Sequence, residues 1–159
     1  IAILKLGGIL AQVDKPEDLL REPVDEFVAD FLGDDRGIKR LSLMRVGQAR
    51  VSPGPVAAPE ASTAEARSTM ADNRTDWVAV VEADGRLAGW VGAEALDGAA
   101  RVAERTPEPF AAVVHPDTTL KAALDGIVTS RTRVAVVVDA EGRYQGVLTL
   151  DDLAEGITR

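Results

Sequence analysis

Apolar and polar positions along this chain switch repeatedly between the two-residue period of strands and the 3.6-residue period of helices. Ile1-Ala-Ile-Leu is apolar, Gly7-Gly8 signals a tight turn, and Ile9 to Val13 resumes an extended pattern, which predicts a hairpin over residues 1–13. Asp14 precedes Pro16 and Glu17, a cap with proline in the first turn, so a short helix should run through Leu19 and Leu20. Pro23 should open a second helix: Val24, Phe27, Val28 and Phe31 fall at i, i+3, i+4 and i+7, and Gly33 ends it. That stripe needs a partner surface larger than a 40-residue segment supplies. Pro53, Gly54, Pro55 and Pro59 then break both periods and mark a loop or an irregular edge strand over 47–59. Glu60 to Met70 is helical by propensity.

The rest of the pattern is written twice. Trp77 to Val91 and Val134 to Leu148 share a strand, an acidic-Gly-Arg turn and a second strand. Gly85 matches Gly142, Gly89 matches Gly146 and Leu96 matches Leu153, always 57 residues apart. A constant offset without insertion implies one structural unit used twice. The first copy predicts strands Val78 to Val81 and Leu87 to Val91, then a helix from about Ala93 to Glu104. The second predicts a strand near Phe110 to Val114, a helix from Thr118 to Val128 capped by Asp117 and Thr118, strands Val134 to Val138 and Tyr144 to Leu148, and a helix Leu150 to Ile157. Each unit therefore reads β-α-β-β-α. Val134 to Val138 is continuously apolar, so both faces of that strand should be covered. A three-stranded sheet with one covered face is marginal alone, and pairing two such units enlarges the buried core.

Composition changes this picture little. With 46% hydrophobic and 28% charged residues the chain is ordinary globular material. The absence of cysteine excludes disulfides and thiolate metal sites. No run approaches the roughly 18 apolar residues of a membrane span, and no signal segment opens the chain. A net charge of −8, with acidic residues in excess on both sides of residue 40, argues against a nucleic-acid partner. Arg40, Arg45 and Arg50 read as solvated side chains. The start at Ile1, without an initiator Met, reads as the interior of a longer protein.

The repeated unit, its Asp/Glu-Gly-Arg-x-x-Gly hairpin and the terminal Gly146-Val-Leu-Thr149-Leu-Asp-Asp152-Leu153 resemble a tandem CBS domain pair over about residues 41–157. The resemblance implies an α+β fold of two pseudo-symmetric units packed as a pair. Residues 1 to about 43 resemble the end of the ATPase domain of ABC importers for glycine betaine, carnitine, choline or proline, which leads directly into such a pair. The implied division is 1–40 as the ATPase tail, 41–104 as unit 1 and 105–159 as unit 2.

Residues that carry chemistry are few. In CBS pairs that bind adenine nucleotides, Gly-x-x-Thr/Ser-x-x-Asp supplies a hydroxyl and a carboxylate to phosphate and ribose, which points to Thr149 and Asp152 as ligand-binding residues. Thr149 sits where a strand passes into a helix, at the positive end of a helix dipole. The same two residues equally suit a helix cap with Asp152 at N3. The first unit has Gly92 and Ala95 at the matching positions, so a nucleotide is expected at one site of this type per chain, or across a dimer axis, and not at two matched clefts. No phosphate loop, nucleophile-base pair or metal constellation occurs, so no catalytic or metal residue is assigned. His115, the single histidine, reads as a loop residue, and Trp77 and Trp90 as packing under the helices. The resemblance implies a regulatory, dimer-forming module of an importer's ATPase subunit that answers AMP, ATP, cyclic di-AMP or ionic strength. It also implies homodimerisation, permease partners reached through the ATPase domain, and a cytoplasmic place at the inner face of the membrane. The alternative is a purely structural dimerisation module without ligand.

Overall fold

In a computed structural model, which describes residues 1–158 and the side chains of 1–155, three sheets follow one another along the chain. The first is the expected hairpin, β1 (Ala2–Lys5) and β2 (Ile9–Val13), antiparallel with a register shift after Ile3. Helices α1 (Pro16–Arg21), α2 (Glu26–Leu32) and α3 (Arg36–Leu43) follow. Lys15, not Asp14, sits at the N-cap of α1, with no side-chain cap. α2 starts three residues after Pro23, because Asp25 caps it by accepting from the Val28 amide. Of the stripe on α2 only Val28 is buried, against Ile3 and Leu19, whereas Val24 and Phe31 stay more than 60% exposed.

Each repeat builds a three-stranded sheet. In unit 1, β3 (Val56–Ala57) runs parallel to β4 (Trp77–Val81), which pairs antiparallel with β5 (Leu87–Gly92). In unit 2, β6 (Val113–Val114), β7 (Ala135–Val138) and β8 (Tyr144–Leu148) repeat that order. The crossover helices are α4 (Thr63–Asn73) and α5 (Leu120–Thr129). Their caps are Ser62 and Thr119, each accepting from the amide three residues on. Asp117 and Thr118 thus do not cap α5. The Thr118 hydroxyl instead accepts from the His115 amide and shapes the preceding loop. The expected strand at Phe110 to Val114 shrinks to two residues, because Phe110 turns into the seam between the units.

Unit 2 ends in α6 (Leu150–Thr158), but the matching helix in unit 1 does not form. Residues 94–104 make two 3-10 turns, Glu94–Leu96 and Val102–Glu104, separated at Gly98, whose φ of +75° ends helical geometry. Leu96 and Val102 still reach the unit 1 core, so burial was conserved between copies while the helix was not.

The chain also exchanges segments between units. Ser52, ahead of β3, pairs with Val147 of β8, and Glu108, ahead of β6, pairs with Trp90 of β5. The 3-10 turn Val46–Gln48 hydrogen-bonds to the carbonyls of Pro116 and Thr118, as Val102 and Ala103 do to those of Ala61 and Pro59. Leu41 and Met44 therefore join the core of unit 2. Between the sheets lies a shared core of Trp77, Ala79, Trp90, Phe110, Val136 and Val147, so β7 is covered on both faces, as its apolar run implies, and β4 is covered in the same way. The hairpin tips also bond across the seam, Leu87 to Gly142 and Tyr144 to Gly85. Among the described residues no helix is long and apolar enough to cross a membrane.

Candidate functional site

At the passage from β8 to α6 the sequence places a threonine and, three residues on, an aspartate. The Thr149 hydroxyl donates to Asp152 Oδ2 at 2.7 Å, the Thr149 amide donates to the same oxygen at 2.9 Å, and the Asp152 amide donates back to Thr149 Oγ1 at 3.2 Å. The reciprocal cap weighed from sequence is therefore formed, and it satisfies helix-end donors that would otherwise lack partners. Asp152 is 8% exposed, and its second oxygen accepts a long bond from the Ser52 hydroxyl at 3.5 Å.

The two residues face different spaces. Thr149 lines a cleft of about 180 Å³ with residues 52–55, Asn73, Thr75, Trp77 and Val147. This cleft lies where the segment ahead of β3 crosses onto the sheet of unit 2. Tyr144 holds that segment: its phenol donates to the Pro53 carbonyl at 2.7 Å, and burial pushes its pKa upward. Asp152 lines instead a polar cavity of about 220 Å³, with Glu17 and Arg21 of α1, Arg40 of α3, and Arg50. Arg40 is 4% exposed, so the expectation that it is solvated fails. Residue type gives no sign of this burial, because an arginine is ordinarily exposed unless the fold encloses it.

A second cleft, about 190 Å³, repeats the first in unit 1 with Trp90, Glu108, Pro109, Ala111, Ser130 and Thr132. Gly92 stands where Thr149 stands in the other, and no capped helix follows it. The Arg131 guanidinium lies 5.3 Å from the Trp90 ring centre. Trp77 and Trp90 pack, as expected, but in the seam and not under helices: Trp77 meets Phe110 edge-on at 5.5 Å and the Trp90 indole donates to the Pro109 carbonyl. Both clefts are below the roughly 300–1,000 Å³ of small-molecule sites, so a nucleotide requires one of them to open. Among the described residues no group of three or more His, Cys, Asp or Glu side chains is placed to hold a metal ion.

Sequence reasoning did not find Ser52, Asn73 and Thr75 as cleft residues. The Pro- and Gly-rich break at 53–55 was the visible signal, but periodicity does not say which sheet a broken segment joins.

A family model described as the CBS domain matches residues 46–99 and 105–159. The osmoprotectant import ATP-binding protein OsmV of Salmonella typhimurium is 31% identical over 98% of this chain and 41% of its own length. The chain thus spans about two fifths of that curated relative. Among solved structures, CBSX2 of Arabidopsis thaliana in complex with AMP superposes with a TM-score of 0.60 at 23% identity, covering 70% of this chain and 94% of that one. OpuCA of Staphylococcus aureus superposes with a TM-score of 0.55 at 22% identity, covering 67% and 94%.

Proposed function

The chain belongs to the CBS domain family, as a tandem pair, and on that premise we propose that it is the regulatory portion of an osmoprotectant importer's ATP-binding subunit, governed by an adenine nucleotide in the Thr149 cleft. Residues 1–40 are then the tail of an ATPase domain, 41–104 and 105–159 the two units, and the full subunit hydrolyses ATP and works with permease subunits at the inner face of the membrane. In this reading two chains associate through their CBS pairs. The exposed apolar side chains of α2 support a tail that belongs to a larger body.

The observation that carries the ligand reading is the asymmetry of the clefts. Only one of the two places a hydroxyl, that of Thr149, at a helix N-terminus beside the crossing loop, the arrangement suited to a phosphate; Asp152, bonded to that hydroxyl, faces the adjoining polar cavity. A solved structure of the same fold, CBSX2, holds AMP. Isothermal titration with AMP, ATP and cyclic di-AMP tests it: one nucleotide per chain is expected, and no heat with any of the three, together with no thermal shift, removes the ligand.

The reciprocal Thr149–Asp152 cap, which already engages both groups, favours a second reading: a structural dimerisation module without ligand. A dimer whose association constant ignores both nucleotide and salt would establish it. Ionic-strength control would show instead as an association that weakens with salt, since exposed charges are screened beyond about 8 Å at physiological ionic strength.

A further inference from the structure

The cap at the start of α6 separates two cavities, and each of its residues opens on a different one. Thr149 lines the cleft closed by residues 52–55, and Asp152 lines the polar cavity between α6, α1 and α3. Asp152 Oδ2 is held by Thr149, and its other oxygen is within reach of Ser52, which pairs with β8 on one side and leads into the cleft loop on the other. Around the polar cavity stand three cations, Arg21, Arg40 and Arg50, and the carboxylates of Glu17, Asp152 and Glu155, with Arg21 also paired to Asp18 at 2.8 Å and Glu22 at 3.4 Å. Removing or turning one carboxylate unbalances this set in a partly enclosed space, where charges interact more strongly than in bulk water. Leu41 and Met44 bind the same N-terminal segment to the core of unit 2, so it cannot drift away from α6.

We infer that Asp152 is a positioning residue that couples the cleft to the N-terminal segment: whatever takes the Thr149 hydroxyl leaves Asp152 Oδ2 on the Thr149 amide alone, loosens the cap, and alters the charge that Asp152 presents to the arginines of α1 and α3 across the polar cavity. The coupling explains how an event in the cleft reaches residues 1–43, although those residues contribute nothing to the cleft lining. It rests on the proposed nucleotide reading for the identity of the trigger, and on the geometry alone for the connection. By reciprocity, loosening the polar cavity must change the affinity of the cleft by the same factor as occupancy of the cleft changes the cavity.

The connection is tested without ligand by a double-mutant cycle of Thr149→Val and Arg21→Ala, read as melting temperature in the 159-residue chain. The two effects should fail to add by about 2 °C or more, a shift appropriate to coupled sites in a chain of this size. The deviation should vanish in an Asp152→Asn background. Additive effects, or a deviation that survives Asp152→Asn, overturn the inference. The trigger is tested with AMP: Arg21→Ala, which leaves the cleft lining intact, should change AMP affinity about fivefold, the lower end of typical coupling. An unchanged affinity counts against the coupling, whereas no AMP binding by the parent chain refutes the nucleotide reading and leaves the cycle to decide the connection.

Discussion

The glycines that mark the repeat divide into two physical classes, and substituting them by alanine separates the classes. Gly146 has φ +143°, and a Cβ built there would collide with the Ser52 carbonyl oxygen and lie 2.6 Å from Val51 Cγ1. Backbone strain at such a φ costs of the order of 1–3 kcal/mol. Pushing Ser52 away also breaks the paired bonds between Ser52 and Val147, 2.9 and 2.8 Å long, at about 1 kcal/mol each. Gly146→Ala should therefore lose about 3–5 kcal/mol, a large part of the roughly 5–15 kcal/mol of a whole domain. Gly142, at φ +78°, has nothing within 4 Å of a built Cβ, so Gly142→Ala should lose only the left-handed penalty of about 1–2 kcal/mol. Urea unfolding followed by circular dichroism measures both. Equal losses would refute the claim that Gly146 admits the exchanged segment, and with it the claim that the segment ahead of β3 packs as part of the unit 2 sheet.

Leu41→Ala should cost about 2–5 kcal/mol, because this residue of α3 is 2% exposed within the unit 2 core; a loss below about 1 kcal/mol in denaturant unfolding contradicts that packing. Thr149→Ala should cost about 0.5–2 kcal/mol as a lost cap, and calorimetry should show AMP binding abolished with it; unaltered AMP affinity would take Thr149 out of the site. A hydrogen bond from Lys5 lowers the pKa of Asp25 from 3.8, and hydrogen bonds from Ser62 lower that of Glu65 from 4.5, so the stability each contributes is present above those values and lost as pH falls through the lowered ones. Asp25→Asn and Glu65→Gln should each flatten the acid limb of melting temperature against pH, and an unaltered limb would contradict the assignment.

The sequence announced the pair because its signals are local. Gly85 and Gly142 need a positive φ, the apolar run before each hairpin needs burial on both faces, and these demands recur at a fixed offset. The expected helix over 93–104 failed because its apolar spacing was real but Asp97-Gly98 interrupts the backbone, and Leu96 and Val102 reach the same core from 3-10 turns. Several polar residues, Asp117, Thr118 and Thr119, precede α5 and each suits a cap by type, and only the fold shows that Thr119 faces the Ala122 amide. The exchange of Ser52 and Glu108 between sheets was not legible: each pairs through backbone atoms, which any residue supplies. For the site, residue types identified Thr149 and Asp152, but their separation onto two cavities depends on α3, whose polar sequence gave no sign that Arg40 would be buried.

The most direct test of the account is a two-dimensional amide NMR titration of the chain with AMP. The account predicts saturable shifts centred on Ser52, Asn73, Thr75, Val147 and Thr149, reaching α1 and α3 through Asp152, with the mate cleft at Trp90 and Ser130 unaffected by direct contact. Shifts centred on Trp90 and Ser130, or none at millimolar AMP, would contradict it.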